Sequence, residues 1–290
     1  MEFRKSANFS SMEWDPRFTE RSPMFAPVAR RGSVFRSYTD WPLRECLQEL
    51  LSRERVTTAA GIPLRLVADP TSEPYELCVH ERGEMHFRER DWHDFFNVLA
   101  WLTYPQTKAA LNDAQSAALK ERPRASDGRS QRGRRRDALT LFDENGAVVV
   151  ASDPTLLEDL RCFRWKRLFV ERRSDVNAAM GMFVFGHALL AKALSPYVGM
   201  TAHSMLFKVA PGLLAQDVDA QIRALDSQIA EAITTLAAPA MLSPLPVLGV
   251  PGWWRDNEDP RFYDKAEYFR GGRHKALFRN VFQANPRSVL

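Results

Sequence analysis

The stretch Asp137-Ala138-Leu139-Thr140-Leu141-Phe142-Asp143-Glu144-Asn145-Gly146-Ala147-Val148-Val149-Val150-Ala151 decides how the chain is read. Leu139 and Leu141 alternate with polar neighbours, which predicts a strand over 137–142. Asp-Glu-Asn-Gly follows as a turn signal, and Ala147 to Ala151 returns as the partner strand of a hairpin. On such a strand Asp137 and Asp143 share a face, one acid at each wet end. A strand-end carboxylate suits a catalytic acid or a metal ligand, whereas Glu144 and Asn145 suit the turn's own hydrogen bonds.

Around this hairpin the chain alternates helix-like and strand-like segments without a βαβ rhythm, which predicts an α+β fold of mixed helices with short antiparallel strands and hairpins. Residues 1–39, with Pro16, Pro23 and Pro27 and no sustained period, read as a flexible N-terminal arm whose Phe18, Phe25 and Phe35 could dock on the body. Residues 40–290 read as a single α+β domain. Asp40 is suited to cap a helix opening at Trp41-Pro42. Pro63–Ala68 and Tyr75–His80 read as strands, and Asp91 caps a helix from Trp92 to about Thr103. Pro105 restarts a helix through Lys120, and Asp153-Pro154 opens another. Further helices are expected over 176–194 and 217–236, with a strand over 200–209 between them. The Pro- and Gly-rich segment Leu245–Trp254 reads as a rigid cover, with Trp253 and Trp254 closing a pocket or packing on the body.

Composition bounds the function. The 290 residues are 45% hydrophobic with a net charge of only +4, enough to bury a large core. Cys46, Cys78 and Cys162 are widely spaced and form no Cys-x-x-Cys pair, so buried thiols in a reducing compartment are expected. The first forty residues lack the apolar run of a signal peptide. The apolar stretches 180–194 and 236–251 fall short of the ~20 residues needed to span a bilayer, so a cytoplasmic location is expected. No phosphate-binding Gly-rich loop and no Gly-x-Ser-x-Gly elbow is present.

Three polar side chains interrupt the apolar helix at Trp92-His93-Asp94-Phe95-Phe96-Asn97. His93 and Asn97, four apart, share a face with Asp94 beside them, beside the core-facing Phe96, Leu99 and Ala100. Such a trio can bind a metal, position a water or act as an acid/base pair, or it can simply bond to a neighbouring loop. His187, in Phe183-Val184-Phe185-Gly186-His187-Ala188, reads either as a satisfied core histidine or as a partner of His93, Asp94 and Asp143 in an assembled site. Two histidines with carboxylates are the ligand types of zinc, iron or manganese, although no local metal motif is present. Lys108, Arg136 and Asp137 are the residues placed to contact a charged ligand.

Lys120 to Arg136 carries eight basic residues against Glu121 and Asp127, a net +6 that exceeds the charge of the whole chain. It reads as a basic loop, either solvated or gripping nucleic-acid phosphates through Arg129, Arg132, Arg134 and Arg135. It lacks interleaved aromatics for base stacking.

The segments Trp92–Asn97, Trp101 with Pro105 and Lys108, Arg136–Glu144, Phe185–Ala188, Leu245–Trp253 and Phe262-Tyr263-Asp264 occur in an order that resembles the bacterial family catalogued as domain of unknown function 3025. The resemblance runs from about Trp41 to Phe269. It implies no activity, so no catalytic residue carries over. In that family an arginine often stands where this chain has Gln106 and an acid where it has Ala191, which weakens any ligand role for these two positions. The residues themselves therefore leave two readings. One is an enzyme or small-ligand-binding protein with a pocket of His93, Asp94, Asn97, Asp143 and His187. The other is a nucleic-acid-associated protein using the arginine cluster.

Overall fold

The structure, a computed structural model, describes residues 13–68, 72–120, 131–271 and 281–283. Residues 13–39 do not form a loose arm. Short 3-10 turns and α1 (Ala29–Gly32) seat Phe18, Met24, Phe25, Val28 and Phe35 in the core. Trp14 stacks on Trp92 with ring centroids 5.1 Å apart. Prolines here stop regular helix, but the buried aromatics supply the packing that holds the segment. Asp40 bonds the Trp41 amide, yet α2 (Arg44–Arg53) begins only at Arg44.

Beyond β1 (Arg65–Val67), the segment expected as a strand over 75–80 is α3 (Tyr75–Arg82). Glu76 in its first turn and His80 and Arg82 in its last suit the helix dipole. β2 (Glu84–His86) then pairs with β1 in parallel. α4 (Trp92–Thr103) and α5 (Pro105–Lys120) follow as expected, and Asp91 caps α4 through the Asp94 amide at 3.1 Å. The N-terminus of α5 is capped from another element. The Asp226 carboxylate accepts from the Gln106 and Thr107 amides, both at 2.9 Å.

The hairpin expected over 137–151 is absent. α6 (Gln131–Asn145) runs directly into β3 (Gly146–Ala151). Among the described side chains of α6, Ala138, Leu139 and Phe142 are fully buried while Leu141 is only half-buried, which is helical spacing rather than alternation. All six residues of β3 are buried because helices cover both faces of its sheet, so no polar alternation marks it.

After α7 (Pro154–Arg161) and a π-helical turn over Arg167–Glu171, the single helix expected over 176–194 divides into three. These are α8 (Arg173–Ala179), β4 (Met180–Val184) and α9 (His187–Ala193). β4 lies antiparallel to β3, pairing Ala147 with Val184. β5 (Thr201–Lys208) lies parallel on its other side, pairing Gly146 with His203. α10 (Pro211–Leu214) and α11 (Val218–Thr235) come next. β6 (Ser243–Pro246) and β7 (Val281–Gln283) then share the outer edge of β5, antiparallel and parallel respectively. The Pro-rich segment is thus partly a sheet strand. The sheet is mixed rather than antiparallel, and the class is α+β.

One face of the sheet packs Ala147, Val149 and Ala151 against α4, α7, α9 and the N-terminal turns. The other packs Val148 and Val150 against α5, α6 and α11. No helix among the described residues is long and apolar enough to cross a membrane, and all three cysteines are free thiols.

Gly186 joins the layers. A Cβ there would lie 2.5 Å from the Glu144 carbonyl oxygen and the Gly146 nitrogen and 2.6 Å from the Asn145 nitrogen. These are backbone atoms with little room to yield, so Gly186→Ala is expected to cost about 3 kcal/mol or more through overpacking. Urea unfolding of the variant against wild type checks this; equal midpoints would contradict it.

Candidate functional site

His93 and Asp94 occupy the first turn of α4, where the Asp91 cap and the buried Trp92 fix the helix start. Asp94 Oδ2 accepts from the Arg88 amide at 2.8 Å and Arg88 Nε at 2.9 Å, and Oδ1 accepts from Arg88 Nη2 at 2.7 Å. The same Oδ1 lies 3.1 Å from His93 Nδ1. With both oxygens engaged, Asp94 orients His93 rather than a water.

The last turn of α6 brings two neighbouring acids to this helix. Glu144 Oε2 lies 3.3 Å from His93 Nε2, and its Oε1 lies 3.6 Å from His187 Nε2. Asp143 Oδ1 is 3.7 Å from His187 Nδ1 and accepts from Lys108 Nζ at 2.5 Å. His187, the first residue of α9, is buried, and the two imidazoles meet edge to face with centroids 4.5 Å apart. Asn97, one turn beyond His93, accepts from Lys108 Nζ and donates to the Tyr75 hydroxyl, each at 2.9 Å. Lys108 is itself buried, with its ammonium 5.6 Å from the centre of the Trp101 ring.

His93, Asp94, Asn97, Lys108, Asp143 and His187 therefore form one continuous network. Arg136 and Asp137 do not join it. Both are exposed midway along α6, and six residues of helix place Asp137 about 9 Å along the axis from Asp143. Nor does a basic loop extend to Arg136, because Arg132, Arg134, Arg135 and Arg136 belong to α6, where Arg134 and Arg136 are exposed. Arg129 lies outside the described residues. Glu144, Tyr75 and Arg88 were missed by sequence reasoning. The available signal for Glu144 was the helical spacing of Ala138, Leu139 and Phe142, which places Asp143 and Glu144 in a last helical turn. Trp253 and Trp254 line a separate cleft of about 490 Å³ with Arg21 and Arg255, at the opposite end of α9 from His187.

Residues 64–273, which contain every member of the network, match the family described as protein of unknown function, DUF3025. The chain belongs to this family. No curated protein and no solved structure gives a significant match.

In this DUF3025 chain the two histidines are held in opposite protonation states. Burial alone would lower the His93 pKa, but its hydrogen bonds to Asp94 and Glu144 outweigh that and bring it up to about 9. Burial pushes His187 down to about 4, more than the nearby Asp143 restores. Burial would raise Glu144, yet His93, His187 and Lys108 hold it at about 2. Asp94 lies well below the usual carboxylate range, because the Arg88 hydrogen bonds overcome its burial. Burial, reinforced by Asp143, holds the Tyr75 phenol far above its ordinary value.

One ligand atom from each of His93, Glu144 and His187 lies within 4.8 Å of the other two, and the same holds for Asp91, His93 and Asp94. The second group is less suited to an ion, since Arg88 already occupies Asp94 and the Asp91 side chain caps α4. The first group presents a neutral His187 and an ionised Glu144 at pH 7, both in ligating form.

These shifts predict how the metal-free protein responds to pH. His93 is raised from 6.5 to about 9, so its contribution is full below pH 6.5 and lost as pH rises through 9. His187 is lowered from 6.5 to about 4, so acidification across that range favours the unfolded chain, which takes up the proton the folded chain refuses. Stability should therefore peak near pH 6.5. Urea midpoints across pH 4–9 check it: His93→Gln should flatten the alkaline limb and His187→Asn the acid limb.

Proposed function

We propose that this chain is a metal-dependent enzyme whose centre is one divalent ion held by His93, His187 and Glu144. One observation carries the reading. Both imidazoles turn Nε2 toward the same Glu144 carboxylate, at 3.3 and 3.6 Å, and each turns Nδ1 toward a different acid, Asp94 at 3.1 Å and Asp143 at 3.7 Å. Asp94, accepting from His93 Nδ1–H, leaves Nε2 as the lone-pair donor and fixes that ring, which is how metal-binding histidines are held in place. His187 Nδ1 has no hydrogen-bond partner among the described residues and faces Asp143 at a longer, electrostatic distance.

Two nitrogens and one carboxylate suit zinc, iron(II) or manganese(II), and three protein ligands leave positions open for substrate. The His93 and Glu144 side chains are 28% and 35% exposed while that of His187 is 4%, so the open positions face solvent over His93 and Glu144. A divalent ion there would act as a Lewis acid and supply a water of lowered pKa, chemistry suited to hydrolysis.

The remaining residues hold this geometry. Arg88 clamps Asp94, which orients His93, while Lys108, itself held by Asn97, fixes the Asp143 carboxylate 3.7 Å from His187 Nδ1. His93 gives up its proton when the ion binds, so the ion replaces a proton between His93 and Glu144.

Elemental mass spectrometry of the purified, untagged protein tests the reading. About one zinc, iron or manganese per chain is expected, lost in His93→Ala and Glu144→Gln. A chain that carries no ion as purified, and takes none from zinc or manganese solutions, overturns it. Asp94→Asn is expected to weaken metal affinity about 10- to 100-fold, because the group that orients His93 is altered. Competition with a chromophoric chelator measures that change, and thermal unfolding shows that the variant is folded.

A further inference from the structure

The residue after Glu144 opens a second polar group that metal binding does not use. Asn145 ends α6, and its Oδ1 accepts from Lys192 Nζ at 2.7 Å. Lys192 lies in the last turn of α9, the helix that begins with His187. His203 stands opposite Gly146 in the parallel pairing of β3 and β5. Two helices and a strand thus bring an ammonium, an amide and an imidazole to the end of the sheet where Glu144 sits. All three side chains are half-buried.

Among the described residues these donors are uncommitted. Lys192 makes no ion pair, and its one hydrogen bond goes to a neutral amide. His203 makes no hydrogen bond, and Asn145 Nδ2 has no acceptor. The neighbouring acids are already matched, Asp94 with Arg88, Asp143 with Lys108 and Glu144 with His93. Lys108, Lys120 and Lys166 pair with carboxylates, and Lys208 and Lys265, which pair with none among the described residues, are exposed to water, whereas Lys192 is half-buried. Glu144 is the acid whose charge reaches Lys192, but its carboxylate also faces His93 and His187, so the half-buried ammonium is under-compensated and an arriving anion relieves that cost.

We propose that the substrate of the metal centre carries an oxyanion, a carboxylate or a phosphate, that sits between Lys192, Asn145 and His203 beside Glu144. This rests on the metal reading for where the reacting group lies. The oxyanion accepts from Lys192 Nζ, from Asn145 Nδ2 and from a ring N–H of His203, three donors of the kind that recognise such groups. A neutral group would leave Lys192 unmatched, and a cation would be repelled by Lys192 and the ion together.

The test uses the full chain loaded with cobalt(II), whose visible absorption reports the ligands around it. Inorganic phosphate and acetate are titrated in, with glycerol as the neutral comparison. A saturable change with an anion and none with glycerol is expected, and the tighter of the two anions identifies the class. Lys192→Gln should weaken that anion about tenfold or more, the loss expected for a charged hydrogen bond, with the cobalt absorption in the absence of anion retained. His203→Ala, on a different element, should weaken it as well, which separates a lost donor from a disturbed α9. Cobalt absorption that neither anion alters, or anion binding that both variants leave intact, overturns the oxyanion site and leaves the metal reading standing. If cobalt does not bind, the metal reading fails, and the His203 ring-proton resonance of the metal-free protein decides the oxyanion site. A saturable shift with phosphate or acetate supports it, and a resonance that neither anion moves overturns it.

Discussion

The close approach of Gly186 to the backbone of Glu144, Asn145 and Gly146 is the contact on which the rest of the arrangement depends. At this point α6 ends, β3 begins, β4 has just ended and α9 starts. The Gly146 carbonyl accepts from both the Phe185 and Gly186 amides, at 3.0 and 2.9 Å, and Phe142 stacks on Phe185 with centroids 4.6 Å apart. The separation of Glu144 from His187 is therefore set mainly by main-chain atoms in regular elements. Sites built this way hold their geometry more tightly than sites on loops.

Around that joint charged and neutral polar groups follow one path, from Arg88 through Asp94, His93, Glu144, the neutral His187, Asp143 and Lys108 to Asn97 and Tyr75. Each charged member has an opposite or hydrogen-bonding neighbour, which is what allows a lysine to be buried at all. Apolar side chains of similar volume could fill such a space at equal or lower cost. A partly buried polar path of this length is thus better explained by what it positions than by the stability it adds.

Half of this site is visible in the sequence and half is hidden, for a definite reason. His93, Asp94 and Asn97 stand out because α4 announces itself: Asp91 is a strong cap and the apolar residues recur at helical spacing. His187 is conspicuous because it interrupts an apolar run, although that run breaks into helix, strand and helix. Glu144 is hidden because Leu139 and Leu141 imitate alternation and Asp-Glu-Asn-Gly imitates a hairpin turn. Tertiary context overrides both signals, since α6 buries Ala138, Leu139 and Phe142 and β3 is covered on both faces. The same override orders the N-terminal segment, whose prolines obscure its aromatic anchors. The mixed α+β class survives these errors because it depends on the presence of both element types, not on their boundaries.

The aromatic cluster that seats the start of α4 has a bearing on the protein's synthesis. Trp14 and Phe18 pack against Trp92, Phe95 and Phe96, residues that a ribosome adds roughly 4–16 s later at about 5–20 residues per second. Through that interval the nascent chain displays large apolar rings that have no native partner yet. Chaperones that hold extended hydrophobic segments act on chains in this condition. The helix bearing His93 thus gains its roof from a segment made well before it, and those rings are covered only once both segments have been made.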